Sequence, residues 1–148
     1  MRALVQRVKK ATVRVENQSV GSITQGLCVF VGVTHDDGFE ESDQLVKKIL
    51  NLRIMDDEDG VMNRSVIDTD GEILIVSQFT LYGDTSKGRR PAWSAAAPPE
   101  KAEPLIDRVV EGLKASGVTV ETGKFREYME VDLINDGPAT LMLSLIHI

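Results

Sequence analysis

The segment Leu27-Cys28-Val29-Phe30-Val31-Gly32-Val33 is an unbroken run of apolar and small residues. Its length suits a β-strand, and the absence of polar alternation predicts a strand that is covered on both faces. Residues 73–76, Ile73-Leu74-Ile75-Val76, have the same character and predict a second buried strand. Because both faces of these strands are apolar, the fold must supply a core on each side of the sheet.

The other predicted strands alternate apolar and polar residues, as strands with one solvated face do. Residues 4–8 and 11–15 predict two paired strands at the start of the chain. Residues 129–133 and 139–146 predict two more strands, which a turn at Asp136-Gly137-Pro138 should join.

Two segments have the apolar spacing of amphipathic helices. The first covers residues 39–50, and the second opens at Pro98-Pro99-Glu100 and ends at Gly117. Pro104 either disturbs the second helix or delays its start. We therefore expect an α+β fold with a single domain, residues 1–148, in which a curved, mainly antiparallel β-sheet or β-barrel carries two amphipathic outer helices.

Composition restricts the class of protein further. With 42% hydrophobic and 27% charged residues, the chain has no apolar run near the ~18 residues that a membrane-spanning helix needs. One cysteine and two histidines leave little material for a zinc site, so no metal is expected. The net charge of −6 disfavours a protein that coats nucleic acid. The residues after Met1 show no secretory signal, and we expect a cytoplasmic protein.

A candidate site lies where the second buried strand ends, at Ser77-Gln78-Phe79-Thr80. Hydroxyl and amide groups at a strand end often only cap main-chain groups. Ser77 or Thr80 could instead be a nucleophile, although no histidine is visibly placed as the activating base. A third interpretation, which we prefer, uses the main chain: the N–H groups of Phe79 and Thr80 would stabilise the oxyanion that forms when an ester carbonyl is attacked.

Two segments, Ser77-Gln78-Phe79-Thr80-Leu81 and Asn135-Asp136-Gly137-Pro138-Ala139-Thr140, resemble the signature motifs of the D-aminoacyl-tRNA deacylases. The similarity extends over nearly the whole chain. These enzymes remove D-amino acids that have been wrongly esterified to tRNA. The resemblance implies the fold of that family, a β-barrel-like sheet with two outer helices, and a homodimer. It also implies hydrolysis of the ester at the 3′ end of tRNA without a cofactor, in which the ribose 2′-hydroxyl assists the attacking water.

The resemblance assigns chiral selection to Gly137 and Pro138. In the family this Gly-Pro bond is cis, as are only ~5–6% of X-Pro bonds in folded proteins. The two carbonyls would then point the same way and bind the ammonium group of the aminoacyl ester. An L-amino acid held in this way would drive its side chain into the rigid backbone, whereas glycine has no side chain to reject. The loop of one subunit is implied to enter the site of its partner.

Three other residues match positions that the family uses. Arg7 matches an arginine that braces the Gly-Pro loop, and Phe125 and Met129 match the F-x-x-x-M segment that lines the pocket. Judged without the resemblance, Arg7 is an exposed strand residue and the other two belong to the core.

A basic cluster, Lys87, Arg89 and Arg90, follows the first motif. It is either a solvated loop or a contact to the phosphates of the tRNA acceptor stem. Two departures from the family pattern lie near the motifs: Ala139 replaces the usual valine, and Pro91-Ala92-Trp93 replaces the commoner Pro-Ser-Phe. Neither removes a signature residue.

Two other functions stay open. The chain could be a small-ester hydrolase that uses Thr80 as a nucleophile and does not need tRNA. It could also be a binding module that retains D-aminoacyl-tRNA without releasing the amino acid. Relative activity on simple esters and on charged tRNA distinguishes the first alternative, and the absence of turnover distinguishes the second.

Overall fold

The computed structural model describes residues 1–145, so the expected end of the last strand at Ile146 lies outside the described residues. Within residues 1–145 the chain forms eight strands and two α-helices. Neither of these helices is long and apolar enough to cross a membrane. The helices are α1 (Phe39–Asn51) and α2 (Pro99–Ala115). The strands are β1 (Arg2–Val15), β2 (Gln18–Ile23), β3 (Gly26–Gly32), β4 (Met55–Asp56), β5 (Met62–Arg64), β6 (Glu72–Ser77), β7 (Val120–Thr122) and β8 (Glu130–Ser144).

The long strand β1 organises the main sheet. It has three antiparallel partners: β8 pairs with residues 2–14, β3 with residues 2–8 and β2 with residues 11–15. β6 then joins β3 and β7 joins β6, both in parallel. The sheet is therefore mainly antiparallel, as predicted, with two parallel pairs that the alternation pattern did not reveal.

The sheet curves until its two ends nearly meet. Gly21 in β2 faces Thr122 in β7 so closely that a Cβ atom on Gly21 would lie 2.4 Å from the Thr122 carbonyl oxygen. Only glycine permits this approach. The prediction of an α+β fold with a curved, barrel-like sheet and two helices is confirmed.

Two apolar cores lie on opposite faces of the sheet. In β3 and β6, Val29 and Ile75 point to the core that also contains the apolar faces of α1 and α2. Their neighbours Cys28 and Leu74 point to a second core together with residues of β1 and β2. Because successive strand residues face opposite sides, both strands are covered on both faces, with only Phe30, Glu72 and Ser77 partly exposed, which confirms the prediction from their unbroken apolar runs.

The prediction of two paired strands at the start of the chain is wrong, because a single strand occupies this segment. β1 is continuous from Arg2 to Val15 and includes the exposed Lys9 and Lys10. Neither lysine favours a turn, so the strand continues until Glu16 and Asn17, which have φ angles of 50° and 64°.

The Gly-Pro segment is also not a turn between two strands, since β8 continues past it along β1. Gln6 pairs with Thr140 and Val8 pairs with Asn135, so two steps along β1 correspond to five along β8. The additional residues leave the ladder as a bulge, residues 136–139, which we call the Gly-Pro bulge. Bulges of this kind re-aim the chain and are frequent beside active sites.

The second helix resolves the question about Pro104. α2 begins at Pro99 and contains Pro104, so its start is not delayed. The missing N–H removes one main-chain hydrogen bond from the helix. Ser42 of α1 donates its hydroxyl to the buried carbonyl of Leu105 at 2.8 Å, which links the two helices directly after the proline.

Candidate active site

The first motif forms a tight turn at the end of β6. Ser77 is the last residue of the strand, and residues Phe79–Tyr82 form a short 3-10 helix. The Gln78 N–H donates to the Val31 carbonyl at 2.8 Å, and the Gln78 carbonyl accepts from the Leu81 N–H at 3.2 Å. The buried strand β3 therefore sets the position of this turn.

The turn leaves two main-chain donors without a partner among residues 1–145. The first N–H groups of a helical turn have no acceptor within the turn. No main-chain or side-chain group in residues 1–145 accepts a hydrogen bond from the N–H of Phe79 or of Thr80. Two neighbouring N–H groups of this kind can bind an oxyanion if it lies within hydrogen-bonding distance.

A cavity of about 590 Å³ adjoins this turn. Ser77, Gln78 and Phe79 line it from the first motif, and Phe125 and Met129 line it from the segment before β8. The structure thus brings these five predicted site residues together. The rest of the lining comes from β3, the loop before α2, the start of α2 and neighbouring residues: Val31, Val33, Val76, Trp93, Ala96, Ala97, Pro98, Pro99, Ala102, Ile106, Arg126, Glu127, Tyr128 and Val131.

Three exposed aromatic side chains surround this cavity. Phe79, Trp93 and Tyr128 are 54%, 43% and 97% exposed. The ring centroids of Phe79 and Trp93 lie 5.4 Å apart in an edge-on arrangement. In the sequence Trp93 stands out only as a departure from the family pattern, and nothing there points to Tyr128. Their exposure depends on the folded positions of two loops, which periodicity does not reveal.

No activated nucleophile is evident among the described residues of the site. The amide nitrogen of Gln78 donates to the Thr80 hydroxyl oxygen, so this neighbour is a donor and not a base. Nε2 of His35 lies 2.6 Å from the Ser94 carbonyl oxygen, away from Thr80. Burial raises the pKa of the Cys28 thiol to about 12, which leaves it protonated and inert. His147 lies outside the described residues.

The Gly-Pro bulge is closed at its base by side-chain hydrogen bonds. Nδ2 of Asn135 donates to the carbonyls of Arg7 and Ala139 at 3.0 and 3.2 Å. The Thr140 hydroxyl donates to Oδ1 of Asn135 at 3.2 Å. The Gly137–Pro138 peptide bond within the bulge is cis. The polar residues that flank Gly-Pro in the motif therefore hold the two ends of the bulge together.

Arg7 contacts the bulge from β1. It is only 4% exposed, although its sequence position alone indicated an exposed strand residue. Its Nε donates to the Asp136 carbonyl at 3.1 Å, and Nη2 lies 3.4 Å from the Gly137 carbonyl oxygen. Nη1 donates to the buried Ile54 carbonyl at 2.7 Å and to Asp56 at 3.0 Å. One guanidinium thus connects the bulge to the segment at β4.

Thr80 belongs to the adjoining turn without lining the cavity, and the remaining predicted residues lie apart from it. Among its lining residues in the described chain there is none from the Gly-Pro bulge. Lys87, Arg89 and Arg90 are exposed at the tip of a loop that is closed by reciprocal main-chain hydrogen bonds of 2.8 Å between Asp84 and Ala92. Residues 1–145 contain no group of three or more histidine, cysteine or acidic side chains that could hold a metal.

The sequence and the fold of this chain have counterparts among known proteins. The family model described as D-Tyr-tRNA(Tyr) deacylase matches residues 4–144. The chain is 56% identical over 143 residues to the D-aminoacyl-tRNA deacylase of Thermotoga petrophila, covering 97% of this chain and 96% of that protein. The chain therefore belongs to the D-Tyr-tRNA(Tyr) deacylase family.

Two solved structures have the same fold. The first, described as c-Myc DNA Unwinding Element Binding Protein, has a TM-score of 0.93 and 40% identity, covering 99% of this chain and 100% of that one. The second, described as a probable eukaryotic D-amino acid tRNA deacylase, has a TM-score of 0.82 and 19% identity, covering 96% and 97%. At that identity the second comparison supports the fold alone.

Proposed function

We propose that this protein hydrolyses the ester bond that joins a D-amino acid to the 3′-terminal ribose of tRNA, releasing the free amino acid. The observation that carries the proposal is the pair of N–H groups at Phe79 and Thr80, which have no partner among the described residues and lie next to a cavity of about 590 Å³. Membership of the deacylase family supports this choice of substrate over other esters.

In the proposed mechanism the main chain stabilises the transition state. Water attacks the ester carbonyl carbon, and the carbonyl oxygen becomes an oxyanion that accepts hydrogen bonds from the N–H groups of Phe79 and Thr80. When this intermediate collapses, the ester C–O bond breaks and the ribose 3′-oxygen leaves with the proton that the attacking water has lost. Removing one donor of such a pair typically costs ~10²–10³ in rate. The ribose 2′-hydroxyl of the substrate assists the water, so the enzyme need not supply a strong base. Ser77, Gln78, Phe125 and Met129 shape the cavity that holds the aminoacyl group.

Chiral selection is assigned to Gly137 and Pro138. Their carbonyls bind the substrate ammonium group, and Pro138 has no N–H to compete for it. An L-side chain then collides with the backbone, whereas a D-side chain points to solvent. The glycyl group has no side chain to collide, so glycyl-tRNA is hydrolysed as well. The bonds from Arg7 and Asn135 support this role, since rejection by collision requires a backbone that does not yield.

The functional unit in this proposal is a homodimer. The Gly-Pro bulge does not line the cavity of its own chain in the described residues, so we assign it to the site of the partner subunit. Lys87, Arg89 and Arg90 contact acceptor-stem phosphates, and their exposed side chains are free to do so. The protein acts in the cytoplasm, where tRNA is charged.

A Thr80 nucleophile that cleaves simple esters is the weaker alternative. The bond from the Gln78 amide to the Thr80 hydroxyl disfavours it, because an amide N–H cannot remove a proton.

The decisive experiment is deacylation of matched D- and L-tyrosyl-tRNA, with glycyl-tRNA alongside, by the purified protein. Release of D-tyrosine and glycine, with L-tyrosyl-tRNA intact, is the expected result. Equal release of both enantiomers would refute chiral selection at Gly137 and Pro138. Stable binding of D-tyrosyl-tRNA without release of amino acid would establish a binding module instead, and equal rates on simple esters would establish the small-ester hydrolase.

A further inference from the structure

The turn that carries Phe79 and Thr80 is held at its far end by Arg2 of β1. Nη1 of Arg2 donates to the Leu81 carbonyl at 2.8 Å. The guanidinium carbon lies 4.5 Å from the centroid of the Tyr82 ring. The last carbonyls of a helical turn have no partner within it, so Arg2 supplies a donor that the turn itself cannot.

The turn Phe79–Tyr82 packs against Gly32 of β3, and Arg2 contacts the same turn from β1. Arg2 and Gly32 are paired across β1 and β3. A Cβ atom on Gly32 would lie 3.1 Å from Cβ of Leu81 and 3.2 Å from Cδ2 of Tyr82. The turn therefore packs directly on the backbone of β3, and the arginine opposite Gly32 contacts it from β1.

We propose that Arg2 is a positioning residue for the hydrolysis proposed above, on which this inference rests. Arg2 keeps the turn packed against Gly32 and thereby sets the position of the Phe79 and Thr80 N–H groups. Arg2 does not line the cavity in the described part of the chain, so its effect passes through Leu81 and Tyr82. A displacement of about 1 Å in such groups can cost ~10²-fold in rate. Arginine suits the role because its planar group can donate and stack at once, whereas lysine offers only a compact point charge.

Trp93 gives a measurement of the position of the turn that does not depend on activity. It is the only tryptophan in the sequence. Its ring lies edge-on to Phe79, and a Cβ atom on Gly83 would lie 2.6 Å from its Cζ3 atom. Trp93 thus contacts both ends of the turn, and its fluorescence should change when the turn moves.

The experiment compares Arg2→Met and Arg2→Lys with the full-length wild type and with Arg14→Met. Arg14 is a matched control because it lies on the same strand and forms an exposed ion pair with Asp132. For Arg2→Met we expect kcat on D-tyrosyl-tRNA to fall ~10–100-fold with KM changed less than about threefold, since oxyanion donors act in the transition state. Arg2→Lys should lower kcat less than Arg2→Met does, and Arg14→Met should keep the wild-type kcat and KM.

Trp93 emission and its quenching by acrylamide are measured on the same variants, with circular dichroism as the test of folding. A shifted emission in folded Arg2→Met, together with a lower kcat, supports the proposal. Wild-type emission or wild-type kcat in that variant overturns it. If Arg2→Met does not fold, Arg2→Lys decides by the same two criteria. Inactivity of the wild type would refute the proposed function, whereas the fluorescence comparison would still show whether Arg2 holds the turn.

Discussion

Nε of Arg7 donates to the main-chain carbonyl of Asp136 at 3.1 Å, although 129 positions separate the two residues in the sequence. The same guanidinium donates to the buried Ile54 carbonyl at 2.7 Å. This buried arginine of β1 therefore ties the Gly-Pro bulge to the segment at β4. The rejection of L-side chains that we propose for this backbone requires such support, because a mobile loop would move aside.

Replacement of Arg7 by methionine tests this connection. We expect the free energy of unfolding, measured by urea denaturation, to fall by about 2 kcal/mol, because the buried Ile54 carbonyl loses its donor. The ratio of D- to L-tyrosyl-tRNA hydrolysis should fall at least ~10-fold, since the bulge can then yield. Arg14→Met, which breaks only an exposed pair, should cost less than about 1 kcal/mol. An Arg7→Met enzyme with unchanged chiral preference would contradict the bracing role.

Gly137→Ala separates folding from function at the bulge. A Cβ atom on Gly137 meets only Oδ1 of Asn135, at 3.8 Å, among the described residues. We therefore expect the melting temperature to stay close to the wild-type value. Hydrolysis of D-tyrosyl-tRNA should fall at least ~10-fold, because the new methyl group lies next to the carbonyls assigned to the substrate ammonium group.

Gly38→Ala is the matched control for that variant. A Cβ atom there meets only Oε1 of Glu41, at 3.9 Å, and Gly38 lies at the start of α1, away from the cavity. Gly38→Ala should keep the wild-type activity and lose no more than about 1 kcal/mol of stability, since alanine is a poorer helix N-cap than glycine. If Gly137→Ala were as active as Gly38→Ala, the assignment of Gly137 to the substrate would be wrong.

The sequence predicted the strands and helices whose residues carry a local pattern. The runs at 27–33 and 73–76 identified β3 and β6 because burial on both faces leaves no polar positions. The continuity of β1 was missed, since it depends on pairing with β8, a strand that begins more than a hundred residues later. Lys9 and Lys10 interrupt the apolar alternation, and the pairing with β8 shifts register between Val8 and Lys10, yet the strand itself continues.

At the candidate site, too, the sequence predicted what a local pattern carries and not what depends on tertiary contacts. Ser77, Gln78 and Phe79 were recognisable because they follow a buried strand. The burial of Arg7 could not be recognised, because its partners lie at and just before β4 and in β8. Trp93 and Arg2 reach the turn at Phe79–Tyr82 through tertiary contacts alone. Neither pattern nor spacing in the chain could reveal these contacts.

Thr80→Ala and the nearly isosteric Thr80→Val test the main-chain mechanism. Both remove the hydroxyl and keep the N–H, so kcat on D-tyrosyl-tRNA should stay within about 10-fold of the wild type. Single-turnover kinetics at saturating enzyme measures the chemical step directly. A loss of more than about 10³-fold in both variants, with folding and tRNA binding intact, would restore Thr80 as a nucleophile.

Acid should weaken the connection between β6 and the chain between β2 and β3. Oε1 of Glu72 accepts from the Thr24 N–H at 2.7 Å and from its hydroxyl at 2.8 Å. These bonds, the main-chain one first, lower the pKa of Glu72 below its usual 4.5. A lowered folded-state pKa stabilises the fold fully above the usual value, and this stabilisation disappears as pH falls through the lowered pKa.

The measurement is the urea midpoint of the wild type and of Glu72→Gln between pH 7 and pH 2.5. The wild-type advantage over Glu72→Gln should shrink as the pH falls below 4.5. Glu103→Gln, an exposed change on α2, serves as the control for general acid effects. A difference between wild type and Glu72→Gln that is independent of pH would contradict the assignment.

Neutralising the basic cluster should weaken tRNA binding without changing the chemical step. In the triple variant Lys87→Gln, Arg89→Gln and Arg90→Gln, we expect KM for D-tyrosyl-tRNA to rise ~10–30-fold while kcat stays unchanged, because these exposed residues lie outside the cavity. The dependence of log KM on log salt should become shallower by about one for each phosphate that the protein no longer binds. Lys47→Gln, Lys48→Gln and Lys114→Gln together remove the same charge from the exposed surfaces of α1 and α2. If both triple variants raised KM equally, net charge rather than a specific contact with tRNA would explain the effect.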